Sequence, residues 1–351
     1  MKIAKETAKK ILIILLIVFG GLTLVGGSVF TIAMAAAGWD FTVMNNVEYV
    51  YHEYTEQHKV TSIELDFNTN DIKVHFSKST TQVRVEYPES YTKNGKQLTK
   101  VTVTEENNVL KVKQSVLRFP YMQFSIGESS LVNVYIPESY AYTLDIKTDT
   151  GDVWFEGYAT LNNLKLETST GTIDLDGSII CDGRMALSTD TGNIFLNTFV
   201  TDSLFIEADT GDVTLDGKSS AFGNVEIETD TGDVSILHSL SAPSIKIETD
   251  TGDVYLGDLS GTSIEASTDT GDIESIGTSV LDFMNLLFST STGDVTLHLV
   301  GTIEDYSVQA HTSTGSNNLY DYPSTGKARS LKIHCSTGDI KGIFMPKLTE
   351  K

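Results

Sequence analysis

A Thr-Gly step recurs ten times between Thr150 and Gly338, at intervals of 19 to 23 residues, inside blocks close to TDTGDV. A period near 20 is one turn of a stacked solenoid and is too short for a propeller blade, which needs about 40–45 residues. The glycines are Gly151, Gly171, Gly192, Gly211, Gly232, Gly252, Gly271, Gly293, Gly315 and Gly338. Two residues after each stands Val or Ile in nine copies, Asn317 being the exception. Three residues before it stands Thr in eight copies, with Ala208 and Cys335 in the others. On both sides of the step apolar residues alternate, as in Leu164, Leu166 and then Ile173, Leu175. That alternation reads as strand, glycine turn, strand and a variable connection.

One such unit cannot bury its own apolar face, so neighbouring units must stack. The expected fold is all-β: a single-stranded parallel β-helix (β-solenoid) of about 20 residues per turn, coiling right-handed. Rungs about 4.8 Å apart would make ten turns roughly 45–50 Å long. The alternation points Thr148, Thr168, Thr189, Thr229, Thr249, Thr268 and Cys335 inward, where hydroxyls would bond to backbone. The glycine is needed for a positive φ or a bulge at the corner.

Residues 1–10 are a basic N-terminus carrying Lys2, Lys5, Lys9 and Lys10. Residues 11–37 contain no charge and exceed the length needed to span a bilayer. The expectation is an uncleaved signal anchor, with the N-terminus cytoplasmic and the rest extracytoplasmic, so that the lipid bilayer is one partner. A cleaved signal peptide ending near Ala35–Ala37 is the rival reading. Residues 38–59 read as an irregular neck. From Val60 to residue 143 short β-rich segments read as a cap continuous with the solenoid of 144–345, with hairpin turns at Gly95 and Asn107–Asn108. NTNDIKV around Asp71 looks like a degenerate repeat. Phe344 and Pro346 are placed to close the other end. Cys181 and Cys335 sit too many turns apart for a disulfide.

The formal net charge of −22 becomes −25 beyond residue 37. Such a surface repels nucleic acid and anionic headgroups. Acids form columns: Asp149, Asp190, Asp209, Asp230, Asp250 and Asp269 before the glycine, and Asp152, Asp212, Asp233, Asp253, Asp272, Asp294 and Asp339 after it. Glu207, Glu228 and Glu248 add a further outward column. Neighbouring carboxylates one rung apart repel by roughly 0.9 kcal/mol even at the dielectric of water. Either a solvated polar corner tolerates this, or Ca²⁺ binds between turns at Asp209, Asp212, Asp230, Asp233, Asp250 and Asp253. The spacing lacks the nonapeptide of calcium-binding β-rolls, and Ser169, Ser291, Ser313 and Ser336 interrupt the column.

No catalytic constellation stands out. Carboxylates occur in every turn, whereas an active site is one distinguished place. His311 and His334 share a repeat position and are expected to be outward neighbours, half of a zinc site without evident further ligands. Trp154, Phe195 and Tyr255 fall in non-adjacent turns and make no stacking strip.

The stretch VNVYIPESYAYTLDIKTDTGDVWFEG (Val132–Gly157), followed by IETDTGDV blocks, resembles the bacterial β-strand-repeat "putative adhesin" family, a domain family of unknown function, over roughly residues 60–345. The resemblance implies surface adhesion and supplies no functional residues. The expected function is a non-enzymatic, membrane-anchored adhesin or binding rod of the cell envelope. Alternatives are an envelope-sensing scaffold for membrane proteins and a carbohydrate-active β-helix enzyme.

Overall fold

The repeat resolves into three short parallel ladders per turn in a computed structural model describing residues 45–117, 130–319 and 327–345. The turn at Gly252 is representative. Its long strand, Ser244–Thr251, buries Ile245, Ile247 and Thr249 and turns Lys246, Glu248 and Asp250 outward. After the corner, Val254–Leu256 forms a second face and Leu259–Ser260 a third. Pairing is parallel and without stagger, so like stacks on like: Val225 on Ile245 on Ile264. The inward residues of all three faces merge into one apolar core. Its strength comes from burial of branched side chains, each worth about 1.5–3 kcal/mol.

Glycine at the corner is imposed by proximity rather than by a tight turn. Gly252 has φ +157°, and a methyl group there would overlap the carbonyl oxygen of Gly232 one rung earlier. The inward threonines hold the same place from the other side. Thr249 donates its hydroxyl to Gly232 O at 3.1 Å, Thr268 to Gly252 O at 3.0 Å and Thr290 to Gly271 O at 3.0 Å. Cys335 takes the slot with Sγ 3.3 Å from Gly293 O. The expected hydroxyl ladder is therefore present, and each rung is tied to the one before.

The stack begins where the degenerate repeat was read. Strands β1 (Val47–Thr55), β2 (Ser62–Phe67), β3 (Ile72–Ser77), β4 (Arg84–Thr92), β5 (Thr99–Glu106), β6 (Val109–Val116) and β7 (Val132–Pro137) precede the first Thr-Gly step. Strands β2 and β3 flank an Asn70–Asp71 corner; Thr148 donates to Asn70 O at 3.1 Å, and the Asp152 amide donates to Asp71 Oδ1 at 3.0 Å. Beyond it β6 pairs parallel to β2 and β7 parallel to β3. Then the mode changes: β5 pairs antiparallel to β6 and β4 antiparallel to β7. The β5–β6 hairpin turns through Asn107 and Asn108, both at positive φ as a two-residue turn requires. An antiparallel hairpin ends the parallel ladder and leaves no long, flat parallel edge there.

Glu105 fixes the cap to the strand entering it. Its carboxylate accepts the amides of Gln57 (2.9 Å) and His58 (2.6 Å) and the Tyr54 hydroxyl (2.9 Å). Burial alone would raise the Glu105 carboxyl, but these donors together hold it below the ordinary glutamate value. A depressed carboxyl contributes stability that is complete above the unfolded-state pKa and is lost as pH falls through the folded value. Glu105→Gln is therefore expected to cost about 1–2 kcal/mol at neutral pH. The difference from the parent should close as pH drops below the glutamate range, read by urea unfolding at several pH values.

Four sequence expectations need correction or placement. The neck is not irregular throughout, because Val47–Thr55 (VEYVYHEYT) is a strand, as its β-branched and aromatic content favours. The last repeats do not stack in chain order. Strand Arg329–Thr337 pairs with Asn285–Thr292 on one side and Tyr306–Thr314 on the other, so the Gly338 corner lies between those of Gly293 and Gly315. The interval from Gly315 to Gly338 is the longest of the nine, which gives the chain length to step back one rung. Phe344 accordingly packs on Tyr306, ring centroids 5.7 Å apart, inside the stack rather than closing its end. Pro346 and the apolar run 11–37 lie outside the described residues, among which no helix is long and apolar enough to cross a membrane.

By contact density the chain divides into two compact units. The larger contains the stack with β2, β3 and β5–β7. In the smaller, Gly95 at φ +74° makes the turn between Tyr91 and Gln97, which pair antiparallel.

Candidate functional site

Two surfaces repeat with the rungs: the corner edge, with its carboxylates, and the outer side of the long strands. At the corner, the aspartates that follow the glycines are part of the ladder. Asp212 Oδ1 accepts the amide of Asp233 (3.0 Å), Asp233 Oδ1 that of Asp253 (2.8 Å), and Asp253 Oδ1 that of Asp272 (2.7 Å). The pattern runs on through Asp294 and Asp339 to the Ser316 amide. A charged acceptor facing a backbone donor is a strong hydrogen bond and offsets the repulsion along the column. Asn193 does the same without charge, accepting the Asp212 amide at 2.9 Å. Asp253 also accepts the Tyr255 hydroxyl at 2.9 Å, a bond that, with burial second, pushes the phenol up to about 12.

The aspartates before the glycine, Asp209, Asp230 and Asp250, are exposed on the strand itself. They do not join their post-glycine partners in a cage: among the described residues no group of three or more His, Cys, Asp or Glu side chains could hold a metal ion. With one oxygen of Asp212, Asp233 and Asp253 already committed to backbone, millimolar Ca²⁺ is expected to leave the melting temperature unchanged within error. A rise reversed by chelator would place ions between the turns.

The outer side of the long strands is built differently. Lys246 lies among three glutamates, 2.9 Å from Glu228, 2.9 Å from Glu248 and 3.4 Å from Glu226. The hydrogen bonds to Glu228 and Glu248 raise its pKa above the ordinary lysine value. So the glutamate column is bridged where it is densest. Where the third face bends into the long strand the register slips, between Leu161 and Leu164 and between Cys181 and Arg184. Along that bend the surface is concave. One depression of about 470 Å³ runs from Thr143 to Glu207. A second of about 420 Å³ takes over from Asn224 and reaches Lys332. Together they touch every rung from Gly151 to Gly293 and the inserted Gly338 rung.

Other sequence candidates remain apart. His311 and His334 are paired across the ladder with rings stacked 6.1 Å apart, as expected, and no further ligand joins them among the described residues. Cys181 and Cys335 are free and buried, and burial pushes both thiols up. Trp154 and Phe195 flank Asp174 on the second face, one rung to either side, so the aromatic strip is broken as the sequence indicated. The groove itself had no sequence signal except the Ser/Asn recurrence at Asn224, Ser244, Ser263, Asn285 and Ser330.

A family model described as Toastrack DUF4097 matches residues 60–217 and again 180–341, which between them hold all ten corners. The chain belongs to that family. Solved structures similar to this Toastrack chain include one described as a "putative adhesin" from Parabacteroides distasonis ATCC 8503. It is 14% identical, with TM-score 0.50, over 72% of this chain and 97% of that one. A "putative adhesin" from Bacteroides fragilis NCTC 9343 is 15% identical over 84% of this chain and 97% of that one, with TM-score 0.34. A "putative lipid binding protein" from Parabacteroides distasonis ATCC 8503 is 15% identical over 86% and 96%, with TM-score 0.34. The first of these likenesses supports the fold alone. No curated protein gives a significant match.

Proposed function

We propose that this chain is a non-enzymatic binding rod of the bacterial envelope, an adhesin held in the membrane by residues 11–37 with its β-solenoid outside the cell. The observation that carries the reading is the groove on the long face, which meets rung after rung with the same outward geometry. A repeated surface of this kind gains avidity from many weak contacts, by factors of about 10²–10⁴ where the ligand also repeats. Catalysis would need one turn set apart from the others, and the carboxylates here recur in every turn and serve the ladder. The description of one structural neighbour as a "putative adhesin" is consistent with this reading.

Topology and binding are tested together. Protease added to intact cells should degrade the residues after 45 and spare a short N-terminal fragment that remains with the membrane. The full-length protein in detergent should then sediment with isolated cell-wall or host-cell surface fractions. Protection from external protease would overturn the location, and failure to sediment with any fraction would overturn the binding role.

A further inference from the structure

We infer that the groove on the long face takes an extended, uncharged polysaccharide lying along the solenoid axis. This deepens the binding reading above and rests on it.

Charge limits what the groove can hold. The chain carries −22 overall, yet the second depression is lined by Glu226 and Glu265 against Lys246 and Lys332. The first has Asp145, Glu167 and Glu207 against Lys165 and Arg184. A groove close to neutral on a strongly acidic protein selects a ligand with no strong charge of its own. Anionic lipid, nucleic acid and polyuronate are all repelled at long range.

The polar groups on offer also suit a glycan. The long strands pair in parallel with neighbours on both sides, so their backbone groups are used in the ladder. An extended peptide, which binds by adding itself to a sheet edge, finds no edge on this face. Along the second depression the face presents a file of hydroxyl and amide side chains, one per rung: Asn224, Ser244, Ser263, Asn285 and Ser330. Ser263 donates to Ser244 at 3.2 Å, and Ser330 donates to Asn285 Oδ1 at 3.0 Å. Hydroxyls and amides both give and accept hydrogen bonds, as a sugar hydroxyl demands of its partner.

The spacing of these side chains matches as well. Equivalent side chains repeat every rung, about 4.8 Å. An extended β-linked disaccharide is about two rungs long, so a linear glycan can meet the file in register over several units. Apolar surface is present only in patches. Leu287 is 39% exposed, and Phe205 is covered on one side by the Arg184 guanidinium, 5.3 Å from its ring centre. Such patches suit the apolar face of a sugar ring; an acyl chain would need a continuous lining.

The experiment uses the full-length protein in detergent against immobilised defined glycans: linear β-glucan, N-acetylglucosamine and mannose oligomers, a polyuronate, and vesicles of anionic lipid. The neutral oligomers should be retained, with affinity rising about tenfold or more from two sugars to eight. Binding should change little between low salt and about 0.5 M salt. Ser263→Trp, which fills the groove, should abolish it. Thr214→Trp, on the second face, should not. Should Ser263→Trp melt abnormally, Asn224→Ala with Asn285→Ala should still weaken binding about tenfold. Retention of polyuronate or lipid vesicles alone, or equal binding by the groove variants, overturns the glycan assignment. If sedimentation with surface fractions persists while no neutral glycan is retained, the glycan class is wrong and the adhesin reading stands. If neither binds, both fall.

Discussion

Gly252→Ala is expected to destabilise the solenoid by about 3–5 kcal/mol, far beyond an ordinary surface substitution. Two costs coincide at this corner. The backbone sits at φ +157°, where residues with a side chain are strained, and the added methyl overlaps Gly232 O. The obstacle is main chain, and it is itself held in place, because Gly232 O accepts the Thr249 hydroxyl. Relief therefore requires the two rungs to part. In a stack where each turn touches only its neighbours, a local rupture of that kind divides the cooperative unit. Urea unfolding should show a lowered midpoint and a broadened or split transition. Gly277 is the control: its φ is +57°, but nothing lies within 4 Å of the added methyl. Gly277→Ala should cost only about 1–2 kcal/mol, the price of the left-handed backbone. Equal losses at the two positions would mean that corner contact is not what glycine provides.

Thr249→Val is expected to cost about 1–3 kcal/mol although it preserves shape and apolar burial. Thr249 is 1% exposed, and its hydroxyl is 3.1 Å from Gly232 O. Valine fills the same space and leaves that half-buried carbonyl without its donor. Thr249→Ser keeps the donor and should recover much of the loss. The chain holds the reverse case as well. At the Gly211 rung the slot is Ala208, 1% exposed, so no hydroxyl reaches toward Gly192 from there. Ala208→Thr should stabilise by about 0.5–1.5 kcal/mol if the slot accepts the added atoms as its neighbours Thr189 and Thr229 do. Chemical denaturation of the three variants side by side decides the matter. A neutral Thr249→Val would show that the threonine column serves packing alone.

Much of the ladder was legible because each corner repeats a local necessity. Glycine, the inward threonine and the Val or Ile two residues on are fixed by contacts between adjacent rungs, so they recur with the rungs. Asn70–Asp71 could be recognised for the same reason, although it lacks the Thr-Gly step. The post-glycine aspartates were read as a surface feature, with cations or solvent to offset their charge. Their role as acceptors for the next amide was hidden because nothing in the spacing tells a splayed carboxylate from one folded onto the backbone. Asn193, an uncharged acceptor in the same column, was the available clue. Two features lay beyond any pattern of spacing. Chain order says nothing about which rung a long connection returns to, so the insertion of Arg329–Thr337 beneath the Gly315 corner could not be seen. The first depression lies beside a register slip near Asn163 and Arg184, set by how two faces meet and carried by no motif of its own.

The stacking order can be measured with paired cysteines on the outer face. Ser289 and His334 are register partners in adjacent rungs, whereas Ser289 and His311 are separated by the inserted strand. Adjacent rungs bring Cα atoms to about 4.8 Å, within disulfide range, and two rungs put them at about 9.6 Å, beyond it. Under mild oxidation Ser289→Cys with His334→Cys should form an intramolecular disulfide, and Ser289→Cys with His311→Cys should not. A bridge in the second pair and none in the first would contradict the ladder as described.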